Sequence, residues 1–162
     1  MRRRKQDGPV ERNDDGTFTL NLGEYEQEVL LSFTDQLKQL ITGDTDDPRV
    51  RRLFPVAYAL DEEADSEYQR FMREELVASR VAAIDRVTGF LASQDPITEA
   101  ELSGLMMTVN GLRLVMGTLL EVSDDGTEPE FDDADDPLAA QWQLYGWLGW
   151  FLEWIVDAQA GD

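Results

Sequence analysis

Trp142-Gln143-Leu144-Tyr145-Gly146-Trp147-Leu148-Gly149-Trp150-Phe151-Leu152-Glu153-Trp154-Ile155-Val156 is the stretch on which the fold turns. Gln143 and Glu153 are its only strongly polar side chains. With Pro137 at a helix-start position ahead of it, the run predicts a helix over roughly 138–158. A helix that is apolar nearly all round lies in a core or in an interface. It is too short, and too closely flanked by acids, for a membrane span of about 20 apolar residues. All four tryptophans of the chain fall within 142–154. Two readings follow: a central core helix, or a helix that is core on one side and a dimer or partner interface on the other. Trp147, Trp150 and Trp154 carry that choice, and Gly146 and Gly149 would let another helix approach closely. A tryptophan-lined ligand pocket is a third reading.

Immediately upstream, residues 121–137 hold nine acids and no base, which predicts a mobile acidic loop. Before it, Thr98-Glu99-Ala100-Glu101 has the form of a capping box and opens a helix to about Leu120. A helical region over 61–93 carries a shift of its apolar face near Arg73-Glu74-Glu75, read as a break, and ends before Pro96. In Arg49-Val50-Arg51-Arg52-Leu53-Phe54-Pro55-Val56-Ala57-Tyr58, Pro55 disfavours helix at Phe54, so an ordered loop around a short turn is expected. Tyr25, Val29, Phe33, Leu37, Leu40 and Ile41 mark a helix over 24–42. Thr17 to Leu22 alternates as a short strand, for which the chain offers no evident partner strand, and residues 1–16 read as a disordered basic leader. The sum is an all-α fold: a compact helical bundle of about four to five helices with one short N-terminal β-strand, in a single domain over 17–160.

Composition removes whole classes of function. The chain has no cysteine and no histidine, so thiol catalysis, disulfides, cysteine or histidine metal sites and a Ser-His-Asp triad cannot be built. No catalytic residue, cofactor site or metal site is assigned. The net charge of −20 opposes broad contact with nucleic acid and favours a basic partner face. The positive start, Met1-Arg2-Arg3-Arg4-Lys5, lacks the apolar segment of a secretory signal, which points to the cytoplasm and away from a membrane.

Asn110, Gly111 and Arg113 interrupt an apolar helix. The simpler reading packs the Arg113 stem and pairs its head with a carboxylate of Asp61, Glu62 or Glu67. The sharper one has Asn110 and Arg113 hold an anion or a partner carboxylate. Glu121-Val122-Ser123-Asp124-Asp125-Gly126 with Asp132 partly imitates a calcium loop, but its first, third and twelfth positions depart from the pattern. Acidic pairs such as Asp61-Glu62-Glu63 and Glu74-Glu75 are expected by chance among 34 acids, so a carboxylate-based metal enzyme is the weakest alternative.

Several motifs in order do carry a likeness: Arg52-Leu53-Phe54-Pro55 with Ala57-Tyr58, Glu67-Tyr68 with Arg70, and Asn110 with Leu112-Arg113-Leu114 and Gly117-Thr118. Through them the chain resembles, over about 17–158, the actinobacterial domain-of-unknown-function family twenty-seventeen, whose regulator-like members are actinomycete oxidative stress regulators. The resemblance implies a cytoplasmic, non-enzymatic protein that contacts a sigma factor of the RNA polymerase machinery. An adaptor linked to the Clp protease and ClpS is the alternative it implies. It also implies a patch of Arg51, Arg52, Phe54, Tyr58, Asn110 and Arg113. Redox control in that reading depends on cysteines, so a disulfide switch cannot operate in this chain. A homodimer through the aromatic helix stays open.

Overall fold

In the computed structural model, residues 8–43, 47–53, 61–122, 130 and 135–161 are described, with the side chains of Arg51, Arg52 and Gln69 set aside. The short strand does have a partner within the chain. Strands β1 (Val10–Arg12) and β2 (Phe18–Leu20) pair antiparallel, Val10 opposite Leu20 and Arg12 opposite Phe18. The turn between them is held by side chains. The Asp15 carboxylate accepts from the Thr17 hydroxyl at 2.6 Å and from the Thr17 N–H at 3.0 Å, which lowers its pKa. Gly16, at φ +85°, supplies the left-handed residue. The leader expected over 1–16 is therefore corrected: residues 8–16 belong to the fold, and 1–7 lie outside the described residues. A three-residue strand of Val, Glu and Arg has too few alternations to stand out from a charged tail.

Phe18 fixes the hairpin to the body. Its side chain is fully buried, and its N–H and C=O both bond to Ile97, each at 2.8 Å. Among the described residues the helices are α1 (Glu24–Thr42), a 3₁₀ helix (Pro48–Leu53), α2 (Glu62–Leu91), α3 (Glu99–Leu119) and α4 (Pro137–Ala160). The all-helical bundle expected from the sequence is thus observed, with a two-stranded hairpin in place of a lone strand. The predicted capping box opens α3: the Glu101 N–H reaches the Thr98 hydroxyl at 3.2 Å, and the Thr98 N–H reaches the Glu101 carboxylate at 3.1 Å. Asp136 caps α4 through the Leu138 N–H at 2.9 Å, with Pro137 in the first turn. The break expected near Arg73-Glu74-Glu75 does not occur, and α2 runs through it. Arg and Glu are good helix formers, so the apolar face drifts around the helix without opening its backbone bonds.

α3 is the centre of the fold. α2 and the 3₁₀ helix pack on one side of it and α4 on the other, while α1 rests on α2 and α3. Leu102, Leu105 and Val109 of α3 are buried against Phe151 and Ile155 of α4, each at 1% exposure or less. Each such side chain contributes roughly 1.5–3 kcal/mol by leaving water. α3 is also long and apolar enough to cross a membrane, and half of that apolar window is buried inside the fold, as in a core helix.

Two backbone positions have consequences that can be measured. Gly8 lies against the Trp154 indole, where a Cβ would sit 2.3 Å from the ring. Gly8→Ala is expected to cost about 1–3 kcal/mol by overpacking, read as a lower denaturant midpoint with an unchanged slope. Glu121, just beyond α3, has φ +52°. It closes the helix end with a Val122 N–H to Gly117 C=O bond of 3.0 Å. Glu121→Gly removes the left-handed strain of about 1–2 kcal/mol, less the greater chain entropy of glycine. A net rise in midpoint is expected, and a fall would mean that the Glu121 side chain holds the helix end.

A candidate interaction groove between the first and last helices

α1 and α4 both lean on α3 and scarcely touch each other, which leaves a groove between them. Its larger part, about 540 Å³, is walled by Tyr25, Val29 and Phe33 of α1 and by Ala140, Leu144 and Trp147 of α4. Each wall is a helical stripe: i, i+4, i+8 on α1 and i, i+4, i+7 on α4. A second hollow of about 210 Å³ shares Phe33 and Gln141 with the first and is lined by Leu112, Val115 and Met116 of α3, with Leu119 beside them. Tyr25 is 78% exposed and Leu119 54% exposed. Trp147 is anchored from behind by stacking on the buried Phe151, ring centroids 5.1 Å apart. Glu26, Gln36, Gln141 and Gln143 supply the polar groups.

The charge of the two helices is one-sided, and of their acids Glu26 lines the groove. α1 carries Glu24, Glu26, Glu28 and Asp35 against the single base Lys38, whose ammonium pairs with Asp85 of α2 at 2.7 Å. α4 carries Glu153 and Asp157 and no base. The acidic segment 121–137 joins the end of α3 to the start of α4, and Leu119, Leu120 and Gln141, near those two ends, line the second hollow. Most of that segment, and with it the calcium-like pattern, lies outside the described residues. Among the described residues, no three acidic side chains converge as a metal-holding group.

The tryptophans singled out from the sequence divide three ways. Trp147 lines the groove, Trp150 is half exposed at 46%, and Trp154 covers Gly8. Trp150 and Trp154 meet edge to face at 6.3 Å. Trp142, by contrast, is a core residue.

The residues of the expected patch are not all gathered in one place. Arg51 and Arg52 lie on the 3₁₀ helix, whose backbone is fixed by Asp47: its carboxylate accepts the Arg49 N–H at 2.9 Å, and its C=O the Val50 N–H at 3.1 Å. The Arg49 guanidinium, 2.6 Å from the same carboxylate, holds the Asp47 pKa down at about 2. Phe54 and Tyr58 lie outside the described residues. The 3₁₀ helix meets α3 at Gly111, where a Cβ would sit 3.7 Å from Leu53. Asn110 beside it is exposed.

Arg113 is turned about 200° around α3 from Gly111 and faces α4. Its guanidinium lies over the Tyr145 ring at 5.3 Å and against Gly149, where a Cβ would sit 3.4 Å from Nε. The expected pairing with Asp61, Glu62 or Glu67 is corrected, because those acids start α2 whereas Arg113 stacks on α4 and its buried Nε has no hydrogen-bond partner. Gly149, read from the sequence as room for another helix, makes room for this guanidinium. The groove itself was not legible as a site. Tyr25, Val29 and Phe33 look like core positions, and the available signal was that the apolar stripe of α1 is wider than one buried face needs.

Comparison with known proteins adds a family and a set of named relatives. A domain of unknown function, DUF2017, matches residues 3–159. The oxidative stress regulator AosR of Mycobacterium tuberculosis is 32% identical over 133 residues, covering 72% of this chain and 60% of the relative, and the Mycobacterium bovis protein of that name matches equally. A Mycobacterium leprae protein named for the same role is 28% identical over 129 residues, covering 70% of this chain and 58% of the relative. The chain thus spans less than two thirds of the length of the curated relatives it matches. No solved structure matches it.

The position of Arg113 yields a stability test. Arg113→Met keeps an apolar stem over Tyr145, loses a cation–ring attraction of about 0.5–1 kcal/mol, and removes a buried N–H whose unmade bond costs about 1–3 kcal/mol. The expected change in unfolding free energy lies between about zero and a gain of about 2.5 kcal/mol. A loss of about 3–5 kcal/mol in urea unfolding, the cost of breaking a buried ion pair, would contradict this placement.

Proposed function

The chain belongs to the DUF2017 family, and from that premise we propose that it is a non-enzymatic cytoplasmic regulator that binds a sigma factor of the transcription machinery during the response to oxidative stress. The observation that carries the proposal is its similarity, over about seven tenths of its length, to proteins named oxidative stress regulators. Its own chemistry supports the same reading. Without cysteine or histidine it has neither a thiolate nor an imidazole with which to run nucleophilic or general-base catalysis near neutral pH. An open apolar groove on a chain of net charge −20 is a surface suited to another protein.

The regulator acts without a thiol of its own. In this proposal the oxidative signal reaches it through its amount, or through the availability of its partner, and binding then follows mass action.

The test is capture of the tagged chain from the cytosol of its source organism at low and high salt, with partners identified by mass spectrometry. Enrichment of a sigma factor or of RNA polymerase subunits is expected, equally under dithiothreitol and under mild peroxide. Recovery of ClpS or a Clp subunit in their place replaces this reading with the proteolytic adaptor, and a blank at both salts refutes it.

A further inference from the structure

We propose that the groove between α1 and α4 receives one amphipathic helix of a protein partner, apolar on its buried face and rich in Lys and Arg on its flanks. The proposal rests on the reading of the chain as a protein-binding regulator and names the surface and the chemistry of that contact.

Shape comes first. The lined stretch of α1, from Tyr25 to Leu40, is about 22 Å long at 1.5 Å per residue. That length matches four turns of a docked helix, whose apolar side chains recur at i, i+3, i+4 and i+7. The walls present such a helix with Val29 and Phe33 on one side and Leu144 and Trp147 on the other. Glutamines at the edges can meet its polar flank.

Charge decides between occupants. α1 and α4 together carry six acids against one base, and that base is paired with Asp85. A second copy of a chain of net charge −20 would bring like charge to like charge. The chain's own segment 121–137, with nine acids and no base, carries the same sign of charge as α1 and α4. A partner helix bearing Lys and Arg gains from the acidic charge of the chain, in its rate of encounter and in its choice of site.

The test titrates the full chain with a synthetic, tryptophan-free helix of about sixteen residues, the length of the groove at 1.5 Å per residue. It carries Leu at i, i+3, i+4 and i+7 and Lys elsewhere, and a twin carries Glu for every Lys. Tryptophan emission reads the binding, since Trp147 lines the groove. The Lys peptide is expected to bind, less tightly as salt rises, and the Glu twin to fail. Tyr25→Ala and Ala140→Arg change exposed positions on the two walls. Each is expected to weaken binding about tenfold or more, which is about 1.4 kcal/mol or more. Phe71→Ala, at an exposed aromatic on α2, leaves it unchanged.

Equal binding of both peptides, or wild-type affinity in the two groove variants, overturns the proposal. So does a concentration-dependent dimer that Ala140→Arg dissolves, because the occupant is then a second copy. Sigma-factor capture by Ala140→Arg at the wild-type level removes the groove and leaves the regulator reading. Groove-dependent binding of the Lys peptide without sigma-factor capture does the reverse.

Discussion

Everything in this fold depends on how α3 is covered. It is an apolar helix with only one charged side chain after its first turn, Arg113, so it must be enclosed on nearly all sides. α2 and the 3₁₀ helix take one side, α4 another, and α1 a third. Packed helices stand about 8–10 Å apart, so α1 and α4 can share α3 and still leave a gap between their own inner faces. The groove is the residue of that geometry. Its apolar lining cannot be removed without also changing side chains that close the core, since Phe33, Leu112 and Met116 belong to the core or pack against it. An opening of this kind is a liability for a lone chain and a resource for one with a partner.

Arg113 shows how the same enclosure treats a charge. A guanidinium inside an apolar interface is tolerated here by a flat aromatic face and a glycine, which admit its planar head without an ion pair. The described acids of the chain are meanwhile left exposed or half-buried, where their summed charge favours basic faces over acidic ones. In the proposed reading, selection of a partner begins at long range, before any apolar side chain touches another. The groove then supplies contact that charge alone cannot, because an acidic surface without an apolar seat binds every cation alike.

How much of this could be read from the sequence follows the length of each element. α1 and α3 were placed closely, since each has an apolar stripe sustained over five turns or more, and α3 opens with a capping box. α4 was placed because nothing else accommodates its aromatic run. The first strand was lost in a charged leader, because Val10 is its only apolar residue and its partner is recognised through the turn chemistry of Asn13, Asp15 and Thr17. The break assigned to α2 came from reading a drift of the apolar face as an end, although none of Arg73, Glu74 and Glu75 is a helix breaker. The site was hardest of all. A groove is a relation between two helices far apart in sequence, and single-helix periodicity gives Val29 and Leu30 the same weight although only Leu30 is fully buried.

The missing cysteines bear on the kind of regulation this architecture can support. A thiol switch stores its state in a covalent bond within the regulator, so a cysteine-bearing regulator can sense and respond in one molecule. In the proposed regulatory reading, a chain with none takes its state from outside, through occupancy of a site at a given concentration of partner. An apolar groove on an acidic chain suits that role, because the affinity of such a contact is divided between apolar burial, which sets residence, and charge, which sets encounter. Regulation can then act on either half: more of the chain raises occupancy, while any change in the charge of the partner's basic flank alters encounter without disturbing the apolar seat.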